Sequence, residues 1–142
     1  MNKNIPEIYQ LLQEISWHFG NHGFDGECCE DLSLIEFMAL KMAYDNNDFS
    51  IQEIGNALKL TKSGASRIID RLENKGYVNR KRSPVDGRVC CIPVDVKGAE
   101  LLTRMLEKNT GDLDTKLKDL EPEMINQIKD TLQVLVEAIQ QK

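Results

Sequence analysis

The sequence predicts a mainly α-helical protein with one small β-hairpin wing. Apolar residues recur at intervals of three and four over most of the 142 residues, which is the period of one face of a helix. Helix-capping residues stand before two of these stretches. Only residues 77–82 and 88–94 resemble strands, and the turn-forming run at 83–87 between them predicts a hairpin.

Two helices are predicted before residue 49. Pro6 fits the first turn of the first helix, which is marked by an apolar stripe of Ile5, Ile8, Leu12, Ile15 and Phe19. Residues 21–26 contain two glycines and an aspartate, and they predict a loop. A second helix is expected from about residue 32 to residue 44, and the polar run at 45–48 ends it.

The third and fourth helices are short and nearly adjacent in the sequence. Ser50 is a suitable N-cap for the third helix, and Glu53 follows three residues later to complete a capping box. Thr61 is the expected N-cap of the fourth helix, and Gly76 supplies the left-handed residue that ends it. The turn between the two helices is only about residues 59–60. The expected buried face of the fourth helix consists of Ala65, Ile68, Ile69 and Leu72.

Two longer helices end the sequence. The first opens near residues 97–98, and its stripe is formed by Leu102, Leu106, Asn109, Leu113, Leu117 and Leu120. Pro122 interrupts it. The last helix has a near-heptad stripe formed by Ile125, Ile128, Leu132, Leu135 and Ile139. The apolar faces of the first and last helices can pack within one core or against a second copy of the chain, and we expect both.

A helix, a short turn, a second helix and a two-stranded hairpin are together typical of a winged helix-turn-helix. The charge distribution supports a phosphate-binding function for this part of the chain. The net charge is −5, yet residues 59–88 contain nine basic side chains against three acidic ones. A local basic stripe in an acidic protein is the pattern expected of a surface that contacts double-stranded DNA.

The predicted DNA contacts lie on the outward face of the fourth helix and on the hairpin. Arg67 can bond a guanine edge with two hydrogen bonds, and Ser66 can bond a base or a phosphate. Arg88 at the hairpin tip can enter a narrow minor groove, with Asp86 close enough to orient its guanidinium. The full set is Thr61, Lys62, Ser63, Ser66, Arg67, Arg71, Arg80, Lys81, Arg82, Asp86 and Arg88.

Three segments resemble the MarR (multiple antibiotic resistance regulator) family of winged helix-turn-helix transcriptional regulators. The run LTKSGASRIIDRLENKGYVNR at residues 60–80 is similar to that family's recognition helix and first wing strand. The run SPVDGR at 83–88 resembles its wing, including the Asp-x-Arg, and VDVKG at 94–98 resembles the entry to its fifth helix. The resemblance is specific over about residues 49–98, and elsewhere it rests on helix order and chain length.

The resemblance implies one MarR-like domain over residues 1–142, with a DNA-binding region at 32–97 and dimerisation helices at 1–31 and 98–142. It implies a homodimer that places two recognition helices about one DNA turn apart on a pseudo-palindromic operator. It also implies a repressor that is released by a phenolic ligand, by thiol oxidation or by a metal. No cofactor is required for the DNA-binding activity itself.

Two kinds of effector are compatible with the sequence. A small aromatic anion could bind in a cleft lined by aromatic and histidine side chains, although any one of these is more often a core residue. The candidates are Trp17, His18, Phe19, Phe24, Phe37 and Tyr44.

Alternatively, cysteines sense an oxidant or a thiophilic metal. Cys28 and Cys29 lie near His18 and His22, and thiolate with imidazole suits zinc or a softer ion, although the spacing matches no dedicated metal motif. Cys90 and Cys91 are weaker candidates, because neighbours on a strand point to opposite faces.

Other functional classes find little support. The sequence has no catalytic triad, phosphate loop or dinucleotide fingerprint, so we do not expect an enzyme. It has no apolar run long enough to span a membrane and no secretory signal at its start, so we expect a cytoplasmic protein. The alternative of another class is a winged-helix module that binds proteins and not DNA, and the basic outward face argues against it.

Overall fold

The computed structural model describes residues 1–19, 30–82 and 90–141. These ranges contain six α-helices and two short strands: α1 (Ile5–Trp17), α2 (Leu34–Asp45), α3 (Ile51–Ala57), α4 (Lys62–Asn74), β1 (Lys81–Arg82), β2 (Cys90–Cys91), α5 (Val96–Lys116) and α6 (Pro122–Gln140). The mainly α-helical prediction is confirmed. The chain divides into two compact units, Met1–Glu107 and Lys108–Lys142, which are described separately.

Side-chain caps fix where the central helices begin. The Ser50 hydroxyl accepts a hydrogen bond from the Glu53 amide at 3.1 Å, and the Glu53 carboxylate accepts one from the Ser50 amide at 3.3 Å. This confirms the predicted capping box of α3. An equivalent box, which was not predicted, joins Ser33 and Glu36 at the start of α2. Each cap satisfies backbone donors that the first turn of a helix leaves unpaired, and contributes about 1 kcal/mol.

The core of the first unit forms where α4 packs against both α2 and α3. Leu40 of α2, Ile54 of α3 and Ile69 of α4 are completely or almost completely buried there. The predicted buried face of α4 is confirmed, since Ala65, Ile68, Ile69 and Leu72 are all buried. Burial of each large apolar side chain contributes roughly 1.5–3 kcal/mol.

The hairpin is shorter than predicted within the residues that the structure describes. Its strands pair antiparallel over two residues each, with Lys81 opposite Cys91. An isolated bridge between Val78 and Val94 continues the pairing toward the helices. Pro93 explains the interruption, because it has no N–H to donate to a ladder. Its carbonyl still accepts the amide of Asn79 at 3.0 Å.

The buried face of α5 differs by one residue from the predicted stripe. Leu101 and Met105 are buried in the core, whereas Leu106 is 68% exposed. Leu102 packs only partly against the core. Gly98 helps to set this orientation, since a Cβ added there would fall on the Tyr77 carbonyl oxygen. The first turn of α5 therefore lies directly against the chain that leaves α4.

The second unit contains the end of α5 and the helix α6. Pro122 occupies the first turn of α6, as the interruption in the sequence predicted. No residue of α6 is buried. Apolar side chains on its near-heptad face remain partly or largely exposed, including Leu132 and Ile139.

A buried carboxylate ties α2 to the end of α4. Glu36 is only 5% exposed, and its carboxylate accepts hydrogen bonds from the Ser33 hydroxyl at 2.9 Å and the Lys75 ammonium at 3.1 Å. Burial by itself would raise the pKa of Glu36. The hydrogen bonds from Ser33 and Lys75 outweigh that effect and lower the pKa from its ordinary value of 4.5. The same ammonium also donates to the Asp31 carbonyl oxygen at 2.7 Å.

Tyr77 adds a second link between the chain after α4 and the residues before α2, next to the contacts of Lys75. Its hydroxyl donates to the Asp31 carboxylate at 2.8 Å. Burial and this neighbouring carboxylate raise the pKa of Tyr77 to about 12. The Lys97 ammonium lies 5.0 Å from the centre of the Tyr77 ring and donates to the Lys75 carbonyl oxygen at 2.8 Å. The C-terminal end of α4 is thereby joined to the start of α5.

Gly98→Ala tests the close approach of α5 to the chain after α4. The added methyl group meets the Tyr77 carbonyl, so we expect a loss of about 1–3 kcal/mol in the free energy of unfolding. Gly111→Ala is the matched control, because a Cβ added there would meet no atom of the described chain within 4 Å beyond its chain neighbours and the backbone of its own helix. Alanine there should stabilise by about 0.5–1 kcal/mol. Equal effects of the two substitutions in urea unfolding would contradict the close approach.

Glu36→Gln tests the buried carboxylate. A carboxyl group with a lowered pKa stabilises the folded state above its unfolded pKa, and that stabilisation is lost as the pH falls through the folded value. At neutral pH the variant should therefore be less stable by about 1–3 kcal/mol. The difference from wild type should shrink as the pH falls below about 4.5. Asp45→Asn, in an exposed ion pair with Lys41, should have little effect at any pH. A difference for Glu36→Gln that stays constant down to acid pH would contradict this account.

Candidate nucleic-acid interface

The start of α4 presents a cluster of polar side chains to solvent. Thr61 caps the helix as predicted, and its hydroxyl accepts a hydrogen bond from the Gly64 amide at 3.0 Å. Its hydroxyl also lies 3.4 Å from that of Ser63. Thr61, Lys62, Ser63, Arg67 and Arg71 are all exposed. The first turn therefore offers backbone N–H groups, hydroxyls and cations together, which is a favourable arrangement for a phosphate.

The turn between α3 and α4 is tight, and it fixes the angle between the two helices. The Leu60 amide donates to the Gly55 carbonyl at 2.8 Å, and Lys59 adopts a positive φ of 58°. A Cβ added at Gly55 would lie 2.9 Å from the Ala65 Cβ. Glycine at this position therefore allows the close crossing of α3 and α4.

Arg80 lies differently from the exposed basic residues of α4, Lys62, Arg67 and Arg71. Its side chain is directed onto α4, where one guanidinium nitrogen donates to the Ser66 carbonyl at 3.0 Å and forms an ion pair with Asp70. Its backbone amide donates to the Glu73 carboxylate at 2.9 Å. Ser66 itself is half-buried beneath this contact. Sequence reasoning did not identify Asp70 and Glu73 as partners of Arg80.

The wing is described only at its base. Lys81 is exposed and faces Cys91 across the two-stranded sheet. The backbone of Arg82 pairs with that of Cys90, and their side chains are outside the description. Asp86 and Arg88, which were predicted to reach the minor groove, lie outside the described residues.

The predicted effector residues differ in exposure within the part of the chain that is described. Trp17, Phe19 and Tyr44 are exposed, and Phe37 is partly buried against the core. His18 stacks edge-on to Phe19 with ring centres 5.5 Å apart. Phe24 lies outside the described residues.

An open, shallow depression of about 450 Å³ lies along α5 and is lined by Val96, Ala99, Glu100, Thr103 and Arg104, none of which was predicted.

Among the cysteines, Cys91 is the one whose side chain is described. It is a half-buried free thiol on β2. Cys28, Cys29 and His22 lie outside the described residues. In residues 1–19, 30–82 and 90–141, no group of three or more His, Cys, Asp and Glu side chains is placed to hold a metal ion. The redox or metal site therefore stays a prediction.

The helices of the described ranges include none that is both long and apolar enough to cross a lipid bilayer.

A model of the MarR family matches residues 32–90. The chain is similar to the HTH-type transcriptional regulator MhqR of Bacillus subtilis, with 28% identity over 129 residues, which are 90% of this chain and 83% of that protein. A solved MarR family protein from Bacillus stearothermophilus has a TM-score of 0.84 at 24% identity and covers 99% of both chains. FabT of Streptococcus pneumoniae, solved in complex with DNA, has a TM-score of 0.77 at 19% identity over 98% of this chain and 97% of that one.

The geometry and these similarities first define a class. The tight α3–α4 pair followed by an antiparallel two-stranded ribbon is a winged helix-turn-helix, as the sequence predicted. The family model and the similarity to MhqR over nine-tenths of the chain then narrow the class. Residues 32–90 match the MarR family, and the chain is similar over most of its length to helix-turn-helix transcriptional regulators.

Proposed function

We propose that the protein regulates transcription by binding a specific DNA duplex, with α4 inserted in the major groove. The observation that carries this proposal is the division of α4 into two faces. Its apolar side chains are buried in the core, while Lys62, Arg67 and Arg71 are exposed on the opposite side. A related fold has been solved with DNA bound, in FabT, which supports the same use of this fold here.

The residues at the start of α4 divide into two proposed roles. Thr61, Lys62 and Ser63 bind phosphate, because the helix dipole and the unpaired N–H groups of the first turn favour an anion there. Arg67 lies one turn further on and reads a base edge, since its guanidinium matches the two acceptors of guanine. Phosphate contacts orient the protein on the duplex, and the base contact gives the sequence preference.

The wing supplies a second set of contacts. Lys81 and Arg82 at its base neutralise phosphates, and Arg88 at its tip enters the minor groove with Asp86 as its orienting partner. Lys81 supports this proposal because it is exposed at the start of the ribbon. The proposal for the tip rests on the sequence.

We also propose that the functional form is a homodimer. Ile5, Ile8 and Ile15 of α1 are 41–47% exposed in the single chain, and Leu132 and Ile139 of α6 are 45% and 63% exposed. Apolar side chains repeated along a helix face at this exposure are typical of an interface. A two-fold dimer places two copies of α4 on two half-sites of a pseudo-palindrome.

The direction and the trigger of regulation are proposals that follow from the family resemblance. We propose repression that is released when a small aromatic anion binds near the aromatic residues of α1 and α2, among them Trp17 and Tyr44. The alternative trigger is oxidation or metal binding at the Cys28–Cys29 or Cys90–Cys91 pair.

Arg67→Ala tests α4 as the base-reading element. We expect a loss of about 1–3 kcal/mol in affinity for the best duplex from the DNA upstream of the protein's own gene, and a weaker preference for that duplex over scrambled DNA. Fluorescence anisotropy over a salt series measures both quantities. Lys41→Ala is the control, since Lys41 is an equally charged, exposed residue of α2, and it should leave the affinity nearly unchanged.

Equal losses for Arg67→Ala and Lys41→Ala would contradict specific reading by α4. If the wild type shows no salt-sensitive binding to any duplex, the protein-interaction alternative replaces the proposed function.

Leu132→Glu tests the dimer. Leu132 lies on the heptad face of α6, so a buried glutamate at the interface should raise the dissociation constant of the dimer by at least about tenfold. Val134→Glu is the matched control, because Val134 is 66% exposed and lies on another face of the same helix. Sedimentation velocity over a concentration series distinguishes them. Dimers of unchanged stability in both variants would show that this face does not form the interface.

A further inference from the structure

Arg80 makes a set of contacts that runs along one side of α4. Its guanidinium bonds the carbonyl of Ser66, lies 3.4 Å from the Ser66 hydroxyl and pairs with Asp70, while its amide bonds Glu73. Ser66, Asp70 and Glu73 are spaced by four and three residues, so they form a single stripe on the helix. Arg80 thus touches three successive points over about two turns of α4.

The Arg80 side chain points in a different direction from those of its basic neighbours. The Arg80 side chain is only 30% exposed, whereas the side chains of Lys81 and Arg67 are exposed to solvent. Its Nε is buried and has no hydrogen-bond partner in the described chain. A buried donor without a partner is unfavourable, so the inward position depends on the contacts that the other end of the guanidinium makes with α4.

Arg80 also stands at a particular place in the chain. It follows the anchored residue Tyr77 by three positions and comes directly before β1. Its contacts therefore connect the exposed side of α4 to the first strand of the wing. The wing and α4 are the two elements proposed to bind the duplex.

We propose that Arg80 is a positioning residue that fixes the angle between α4 and the wing, and that it does not contact DNA. This inference rests on the proposed function. With the angle fixed, the base contacts of α4 and the phosphate contacts of the wing can form together without ordering either element during binding. Asp70 shares this positioning role, because its carboxylate holds the Arg80 guanidinium on α4.

Removing the charge of Asp70 tests the proposal, because the two possible roles of Arg80 predict opposite changes in affinity for DNA. If Arg80 turned outward to bind a phosphate, Asp70→Ala would release it and remove a negative charge near the DNA, and affinity would rise or stay the same. If Arg80 positions the wing, the same substitution weakens binding to the specific duplex although the protein has become less negative. Alanine also favours the helix, so the variant should fold.

The experiment is a double-mutant cycle of Asp70→Ala, Arg80→Gln and both together. Affinities for the best upstream duplex and for a scrambled duplex of equal length are measured by anisotropy over a salt series. The measurements are made at a temperature where circular dichroism melts show every variant to be folded. Two controls accompany the cycle: Asp45→Ala removes the acid of an exposed ion pair on α2, and Lys81→Gln removes a proposed phosphate contact.

We expect Asp70→Ala to weaken binding to the specific duplex by about five- to tenfold, with scrambled duplex bound as before or more tightly. Arg80→Gln should add little to Asp70→Ala, and the salt dependence should not change in the double variant. Lys81→Gln should weaken both duplexes alike and reduce the salt slope by about 0.9. Asp45→Ala should bind as the wild type does.

An unchanged or higher affinity of Asp70→Ala for the specific duplex overturns the positioning role. So does a salt slope that falls on Arg80→Gln in the Asp70→Ala background, since that identifies a phosphate contact. A wild type that binds no duplex overturns the proposed function itself and this role with it. The wild-type titration therefore separates the two failures.

Discussion

The fixed rotation of α4 about its own axis is the constraint on which the rest of the structure depends. Ile69 and Leu72 are fully buried where α4 packs against α2 and α3. Successive residues on a helix are about 100° apart, so a turn of α4 by one position would bury Arg67 and expose Ile69. The exposed polar face exists because the opposite face is held in the core. Thr61 at one end of the helix and the Glu36–Lys75 pair at the other prevent α4 from sliding along its axis.

The features of the fold that could be predicted from the sequence are those that neighbouring residues determine. Ser50 and Glu53 are three positions apart, and this spacing alone specifies the start of α3. The same signal was present at Ser33 and Glu36, but the expected start of the second helix at residue 32 concealed it. The face of α5 could not be predicted in this way, because its periodicity allows two adjacent stripes. The close contact between Gly98 and the backbone of Tyr77 decides which of the two stripes is buried. Tyr77 lies outside α5, so the periodicity of α5 carries no information about this contact.

In the candidate site too, features set by neighbouring residues could be predicted from the sequence, and features set by distant contacts could not. Local helix geometry was sufficient to place Lys62 and Arg67 on the face of α4 that the structure leaves exposed. The position of Arg80 depends on three residues of a helix that ends six positions earlier, so its charge gave no indication that it faces inward. Asp70 likewise interrupts the basic segment of the sequence without an evident reason. Its ion pair with Arg80 gives it a structural role.

The central claim is that the exposed face of α4 binds the duplex, and an NMR titration with the upstream DNA tests it most directly. We expect the largest changes in amide chemical shift between Lys62 and Arg71, at the start and along the outer face of α4. The amides of α2, Leu34–Asp45, should change little, because α2 packs behind α4 in the core. Changes concentrated on α2, or an α4 that is unaffected at saturating DNA, would contradict the account.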